Sequence, residues 1–362
     1  MDVMRALLAL LVAFGHIWIL FVRDYAPTGS RTVQALYGLA GFAHPAVVMF
    51  FVLSGYWITR SVMRRAAGEW SWNGYLADRL GRLLPVLVPA LLLGGLLDWL
   101  SINLLHSPTH LGLTGSWVLH KDVAADLSLL TFLGNLIFLE GILVHSFGTN
   151  GPLWSLAAEF WFYLWFPALY LLIRHRRISW ALPTLLLVLL APQLALYFAQ
   201  WLCGAALVFV QARARPRVGY ATLLAAGVAL LTVLALVRTM SLPGEDLLLA
   251  LCFAVFLWAI IAARPAAMPG MRGLAHFGAN ASFSLYVTHF PVIALIAALT
   301  IGRERLTPSA PGVALVLATL LASVVVARFF AALTEAHTAR VRGWLRTPLR
   351  AAPRVAVLSV ER

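Results

Sequence analysis

Apolar runs of about twenty residues, separated by short polar links, make up nearly the whole chain. The runs at about 4–22, 42–58, 83–100, 153–173, 180–198, 200–211, 218–237, 247–263, 281–301 and 312–333 predict ten membrane-spanning helices. An eleventh apolar patch, 127–144, is interrupted by Gly134, Asn135, Glu140 and Gly141. If it crossed, the arginines of every later basic link, such as Arg174, Arg213 and Arg264, would change sides and break the positive-inside pattern. It therefore reads as a re-entrant or interfacial element. With that choice the outer links carry only Arg23, Arg31, Lys121, Arg238, Arg303 and Arg305, and both termini are expected in the cytoplasm. The expected fold class is an all-α polytopic bundle. Residues 1–335 form its transmembrane domain and 336–362 a basic cytoplasmic tail, suited to lying on anionic lipid.

Composition agrees with the pattern and narrows it. The chain of 362 residues is 62% hydrophobic and 11% charged, with a mean hydropathy of +0.88, so no separate soluble domain is expected. The net charge of +13 is spread between apolar runs and forms no single patch, which argues against nucleic acid as a partner. Lys121 is the only lysine. So arginine-biased a composition points to a GC-rich bacterial genome, and hence to a multi-pass protein of the bacterial inner membrane. The first run lacks a following small-residue cleavage site and reads as a retained helix. Cys203 and Cys252 lie in apolar runs and read as packing residues.

Ionisable residues inside these runs carry the candidate chemistry. Arg5 and His16 are eleven positions apart, which returns them to within roughly 20° of one helix face. Read alone, the pair is either a snorkelling arginine with a satisfied core histidine or a functional site. Arg79 and Arg82, three apart with Pro85 following, can address one phosphate-bearing ligand or merely flank a span on the positive side. In the run opened by Trp154 and Ser155, Glu159 enters from the outer side to a depth similar to that of His16 entering from the inner side. The two can meet. Ser282, Tyr286 and His289 place a second histidine near mid-membrane, and Ser54-Gly55 offers either close helix packing or a ligand contact. His106, His110 and His120 share a polar link but lack paired carboxylates or cysteines, so no metal is expected. No GxSxG, HExxH, Walker or dinucleotide fingerprint occurs.

The set resembles the acyltransferase-3 family of integral membrane O-acyltransferases. The resemblance is carried by Arg5 and His16; Phe51-Val52-Leu53-Ser54-Gly55; Arg79, Arg82 and Pro85; Trp154-Ser155-Leu156 with Glu159 and Tyr163; Ser282, Tyr286 and His289; and Glu335. Phe283 stands where the family usually has a second tyrosine. The resemblance implies transfer of an acyl group, commonly acetyl from acetyl-CoA, to a hydroxyl of a carbohydrate or glycolipid. Acyl-CoA is then a donor substrate, with no permanently bound cofactor. It implies His16 as general base with Glu159 orienting it, Arg5 assisting, and Arg79, Arg82 and Ser54 on the donor. Trp154, Ser155, Tyr163, Ser282, Tyr286, His289 and Glu335 would shape the site. Two other readings stay open: a transporter or flippase of glycans, whose proton relays also use buried His and Glu, and an acyltransferase acting on a small secondary metabolite. Neither the acceptor nor the oligomeric state can be read from these residues.

Overall fold

The computed structural model describes the chain except residues 27–29, 117–118, 120–121, 214–215, 240–243, 266–269 and 347–362. His120, Lys121, Arg215, Arg350 and Arg354 therefore lie outside the described residues. The described residues are helical with no β-strand, in thirteen α-helices. These are α1 (Asp2–Phe21), α2 (Arg31–Ala40), α3 (Ala43–Ala66), α4 (Trp72–Asn103), α5 (Leu129–Leu136), α6 (Trp154–His175), α7 (Gln193–Arg213), α8 (Tyr220–Thr239), α9 (Glu245–Ala263), α10 (Arg272–Asn280), α11 (Ser282–Thr300), α12 (Ala310–Leu333) and α13 (Thr338–Arg346). Nine of them, α1, α3, α4, α6 to α9, α11 and α12, are long and apolar enough to cross a membrane. An α-helix satisfies its own backbone polar groups, which is what a hydrocarbon surrounding demands.

The runs expected as two spans at 180–198 and 200–211 fold differently. One helix, α7, covers the whole of the second and only residues 193–198 of the first, and it is preceded by a 3-10 helix, Leu182–Leu189. That segment returns along α6: Trp180 packs on Trp72 at the start of α4, Thr184 accepts from Trp165 Nε1 (3.1 Å), and Gln193 donates to the Gly141 carbonyl. Tyr197 of α7 then lies 4.8 Å from Trp154, at the first residue of α6. The 3-10 rise of about 2 Å per residue covers this return in fewer residues than an α-helix needs. Pro192, between the 3-10 helix and α7, has no N–H to donate and opposes one continuous α-helix through both. The interrupted patch 127–144 holds only α5, whose 8 residues span about 12 Å.

The start of α4 also departs from expectation. Ser71 accepts from Gly74 N (3.2 Å) and starts the helix at Trp72, so Arg79, Arg82 and Pro85 lie inside a 32-residue helix and not at its mouth. Pro85 and Pro89 cannot donate to the carbonyls of Gly81 and Pro85.

Helix α1 is central, with contacts to α2, α3, α10, α11 and α12. Ala6, Ala9 and Ala13 form a small-residue face that packs with Leu285 of α11 and Ala327 and Ala331 of α12. Leu8 and Val12 join the cluster built on α3 and α4. Arg5 and His16 fall at the seam between these two faces. Helices α3 and α7 pack closely: a Cβ at Gly55 would strike the Trp201 carbonyl, and one at Gly204 the Val52 carbonyl. The first part of the expected tail, α13, packs on the start of α4.

At the opposite end of α1 the chain is fastened by Arg305. Its guanidinium donates to both Asp24 carboxylate oxygens (2.9 and 2.7 Å) and to the Val22 and Ile19 carbonyls at the helix C-terminus (3.1 and 3.3 Å). Arg23 pairs with Glu304, and backbone bonds join Arg23 N to Leu306 O and Leu306 N to Phe21 O. A cation suits the negative end of the helix dipole. The Arg305 hydrogen bond holds the Asp24 carboxyl below its ordinary range.

Candidate functional site

At the α4, α12 and α13 end of the bundle, a cavity of about 570 Å³ is walled by Arg5, Arg79, Arg82, Arg328 and Arg342. A second cavity of about 360 Å³ shares Arg5, Arg79, Arg82 and Phe283 with the first and continues between α3, α4, α6 and α11. The two are parts of one cleft that is basic at its mouth and apolar in its throat, where Val47, Phe50, Leu53, Ile58 and Leu156 line it. Phe283, at the position usually held by a tyrosine in the resembled family, stands at the junction.

Two carboxylates belong to the mouth, and both are committed. Asp78 accepts from Arg65 and Arg346. Glu335 accepts from Ser284 N (3.1 Å) and Ser284 Oγ (2.5 Å), so it caps the first turn of α11 from another element and complements the helix dipole. Arg79 lies over the rings of Tyr75 and Tyr163, and its Nε is buried with no hydrogen-bond partner among the described residues.

Glu159 provides a polar band in the throat. Its Oε1 accepts from Ser54 Oγ and from Tyr163 OH (2.7 Å), and Trp201 Nε1 donates to Ser54 Oγ (3.2 Å). Ser54 is thus oriented by α7 and held by α6, while Gly55 beside it allows the close approach of α7. Both roles weighed for the Ser54-Gly55 pair are present, packing at Gly55 and a cavity-lining hydroxyl at Ser54.

The throat ends at Ser155 and Tyr286, which are hydrogen-bonded to each other. Tyr286 also donates to the Pro152 carbonyl (3.1 Å). One ring beyond is His289, whose centroid lies 6.0 Å from that of Tyr286. His289 meets His16 edge to edge, with centroids 5.2 Å apart, planes 11° apart and His16 Nδ1 2.9 Å from His289 Nε2.

The protons of this pair follow from its neighbours. His289 Nδ1 faces the carbonyls of Tyr286 (2.8 Å) and Leu285 (3.2 Å), which can only accept, so Nδ1 carries the hydrogen. Nε2 is then an acceptor, and His16 donates to it through Nδ1. His16 Nε2 is left with its lone pair. This tautomer is assigned from the hydrogen-bond network. His289 is buried at 1% exposure, whereas His16 is half-buried.

The structure corrects one expected pairing. Glu159 is engaged with Ser54 and Tyr163, and the residue that orients His16 is His289. Helix depth alone made Glu159 and His16 plausible neighbours, but α6 and α1 have no direct packing of note, while α1 and α11 pack along their lengths. Trp154 packs with Phe51 and Tyr197, and Ser282 Oγ bonds the Gly278 carbonyl while lining the throat. Arg5 lines both cavities and approaches Asp2 at 3.8 Å. His110 is hydrogen-bonded to Asp98 and Ser107, and no group of three metal-ligating side chains occurs among the described residues. Sequence reasoning missed Asp78, Trp201, Arg328 and Arg342. Asp78 carried a signal, as an acid beside Arg79; the other three have none without the packing of α7, α12 and α13.

A family model described as "Acyltransferase domain", which corresponds to the resemblance read from the motifs, matches residues 1–328. Neither a curated protein nor a solved structure matches the chain.

Proposed function

Because the chain belongs to the acyltransferase-3 family of membrane acyltransferases, we propose that it moves an acyl group, acetyl in the first instance, from acyl-CoA to a hydroxyl of a carbohydrate or glycoconjugate. The observation that carries this reading is the cleft: arginines at the mouth, an apolar throat, and an end one ring short of the His16–His289 pair. Arginine clusters suit the phosphates of the donor, and a narrow apolar throat suits the pantetheine arm. Glu159 and Ser54 offer that arm hydrogen-bonding groups halfway along.

In the proposed step His16 Nε2 takes the proton of the acceptor hydroxyl as its oxygen attacks the thioester carbonyl. The tetrahedral intermediate collapses, the C–S bond breaks, and the CoA thiolate leaves and receives the proton from the imidazolium. His289 fixes the tautomer and accepts the second hydrogen bond throughout. Tyr286, with Ser155, stands between thioester and histidine. Its hydroxyl is the group suited to the developing oxyanion once it turns from the Pro152 carbonyl.

We further read the chain as making ten passes through a bacterial inner membrane with both termini cytoplasmic, the 3-10 segment supplying the tenth. Reporter fusions at the N- and C-termini test this: both should report cytoplasmic, and reporters on opposite sides would refute an even number of passes. The chemical reading is tested with purified protein and radiolabelled acetyl-CoA. Label should pass to a hydroxyl acceptor and be released by mild base, as an ester requires. Glycan transport with no acetyl-CoA turnover would establish a transporter instead.

A further inference from the structure

The wide cavity has a wall that lies outside the family-matched region. Residues 1–328 are matched, yet α13 (Thr338–Arg346) packs on the start of α4 and brings Arg342 to the cavity. The docking is specific. A Cβ at Gly81, between Arg79 and Arg82, would come within 2.9 Å of the Cα and Cβ of Arg342, so the absent side chain is what lets α13 approach. Asp78, buried at 9% exposure, bridges Arg346 of α13 to Arg65 of α3. Helix α13 is therefore latched over the mouth.

The arginines of the cleft divide into two sets. Arg5, Arg79 and Arg82 line both cavities and so stand at the junction, whereas Arg328 and Arg342 line only the wide one. Neither Arg328 nor Arg342 has a carboxylate partner among the described residues, and the two carboxylates nearby, Asp78 and Glu335, are taken by other groups. Two positive clusters at two depths suit a ligand with two phosphate groups along its length.

We infer that α13 is part of the donor site and that Arg342, with Arg328, holds the 3′-phosphate of acyl-CoA, while Arg5, Arg79 and Arg82 hold its diphosphate. This rests on the acyl-CoA reading above. The diphosphate adjoins the pantetheine arm and so belongs at the junction with the narrow throat. The 3′-phosphate, on the adenosine, belongs in the wide cavity. Asp78 is a positioning residue that keeps α13 in place.

Binding of CoA and of 3′-dephospho-CoA to the full chain in nanodiscs separates the outcomes. Wild type should favour CoA, and Arg342→Gln should weaken CoA binding at least about tenfold while leaving dephospho-CoA binding nearly unchanged, as loss of one charge-assisted contact implies. Arg342→Lys should restore part of the difference. Gly81→Leu, which removes no charge but displaces α13, should reproduce the Arg342→Gln result. Equal CoA affinity in wild type, Arg342→Gln and Gly81→Leu would overturn the inference while leaving the acyl-CoA reading intact. Failure of wild type to bind either compound would overturn both. Discs of phosphatidylcholine alone and discs containing phosphatidylglycerol identify the phosphate: an Arg342→Gln effect seen only with the anionic lipid would assign α13 to lipid headgroups and defeat the inference.

Discussion

Arginine is used in opposite ways at the two ends of this bundle. At the Arg305 end two guanidiniums are committed: Arg305 to Asp24 and to the last carbonyls of α1, and Arg23 to Glu304. At the cleft end Arg65 and Arg346 are likewise paired, to Asp78, but Arg82, Arg328 and Arg342 converge with no carboxylate partner among the described residues, and Arg79 Nε is buried without a hydrogen-bond partner among them. Like charges gathered without compensation repel, and a chain under no further demand would pair or disperse them. The committed arginines serve the fold, and the convergent ones are the proposed donor site. The histidine pair lies between these regions, where α1 and α11 cross.

The largest expected effect removes the link between the two ends. His16→Ala should lower the transfer rate by about 10²- to 10⁴-fold, the usual worth of a general base, with an unchanged size-exclusion profile. A turnover number within a few-fold of wild type would remove His16 from the chemistry. Next, Arg82→Gln should raise the KM for acetyl-CoA by about 10- to 100-fold with little change in kcat, as loss of a charge-assisted phosphate contact predicts. Arg305→Gln is the matched control at the other end. It should leave that KM unchanged and lower stability by about 1–3 kcal/mol, because the Val22 and Ile19 carbonyls and Asp24 lose their donor. A shift in donor KM for Arg305→Gln would erase the contrast.

The smallest effect is the pH response of the Asp24 pair. The Asp24 carboxyl is held below its ordinary range by Arg305, so its stabilising contribution is complete above the unfolded pKa of about 4 and is lost as pH falls through the lower folded value. The Asp24 side chain is 73% exposed, so the contribution is small and screened by salt. Melting temperatures between pH 6 and pH 3 should fall slightly more steeply for wild type than for Asp24→Asn. Parallel curves would show that the pair contributes nothing.

Most spans were legible because hydropathy is a local property: a run such as 4–22 must become a helix in lipid whatever surrounds it. The segment 180–211 was misdivided because length and apolarity do not tell a 3-10 return from an α-helix, and the outcome depended on Pro192 and the packing against α6. The start of α4 was placed too late for a related reason. Residues Trp72 to Arg82 are too polar to read as membrane, and their helix is held by Ser71, the Asp78 ion pairs and the contact with α13.

For the site, the sequence by itself determined the cast: Arg5 and His16 on one face, Arg79 beside Arg82, Glu159, Tyr286 and His289 inside apolar runs. Periodicity fixes which side chains share a helix face, and the cost of an ion or imidazole in hydrocarbon marks them as functional candidates. Tertiary structure decided the partners. His289 and not Glu159 meets His16, Glu335 caps α11, and Arg328 and Arg342 join Arg79 and Arg82, because depth in a membrane is one coordinate and contact between helices also requires their order and rotation around the bundle.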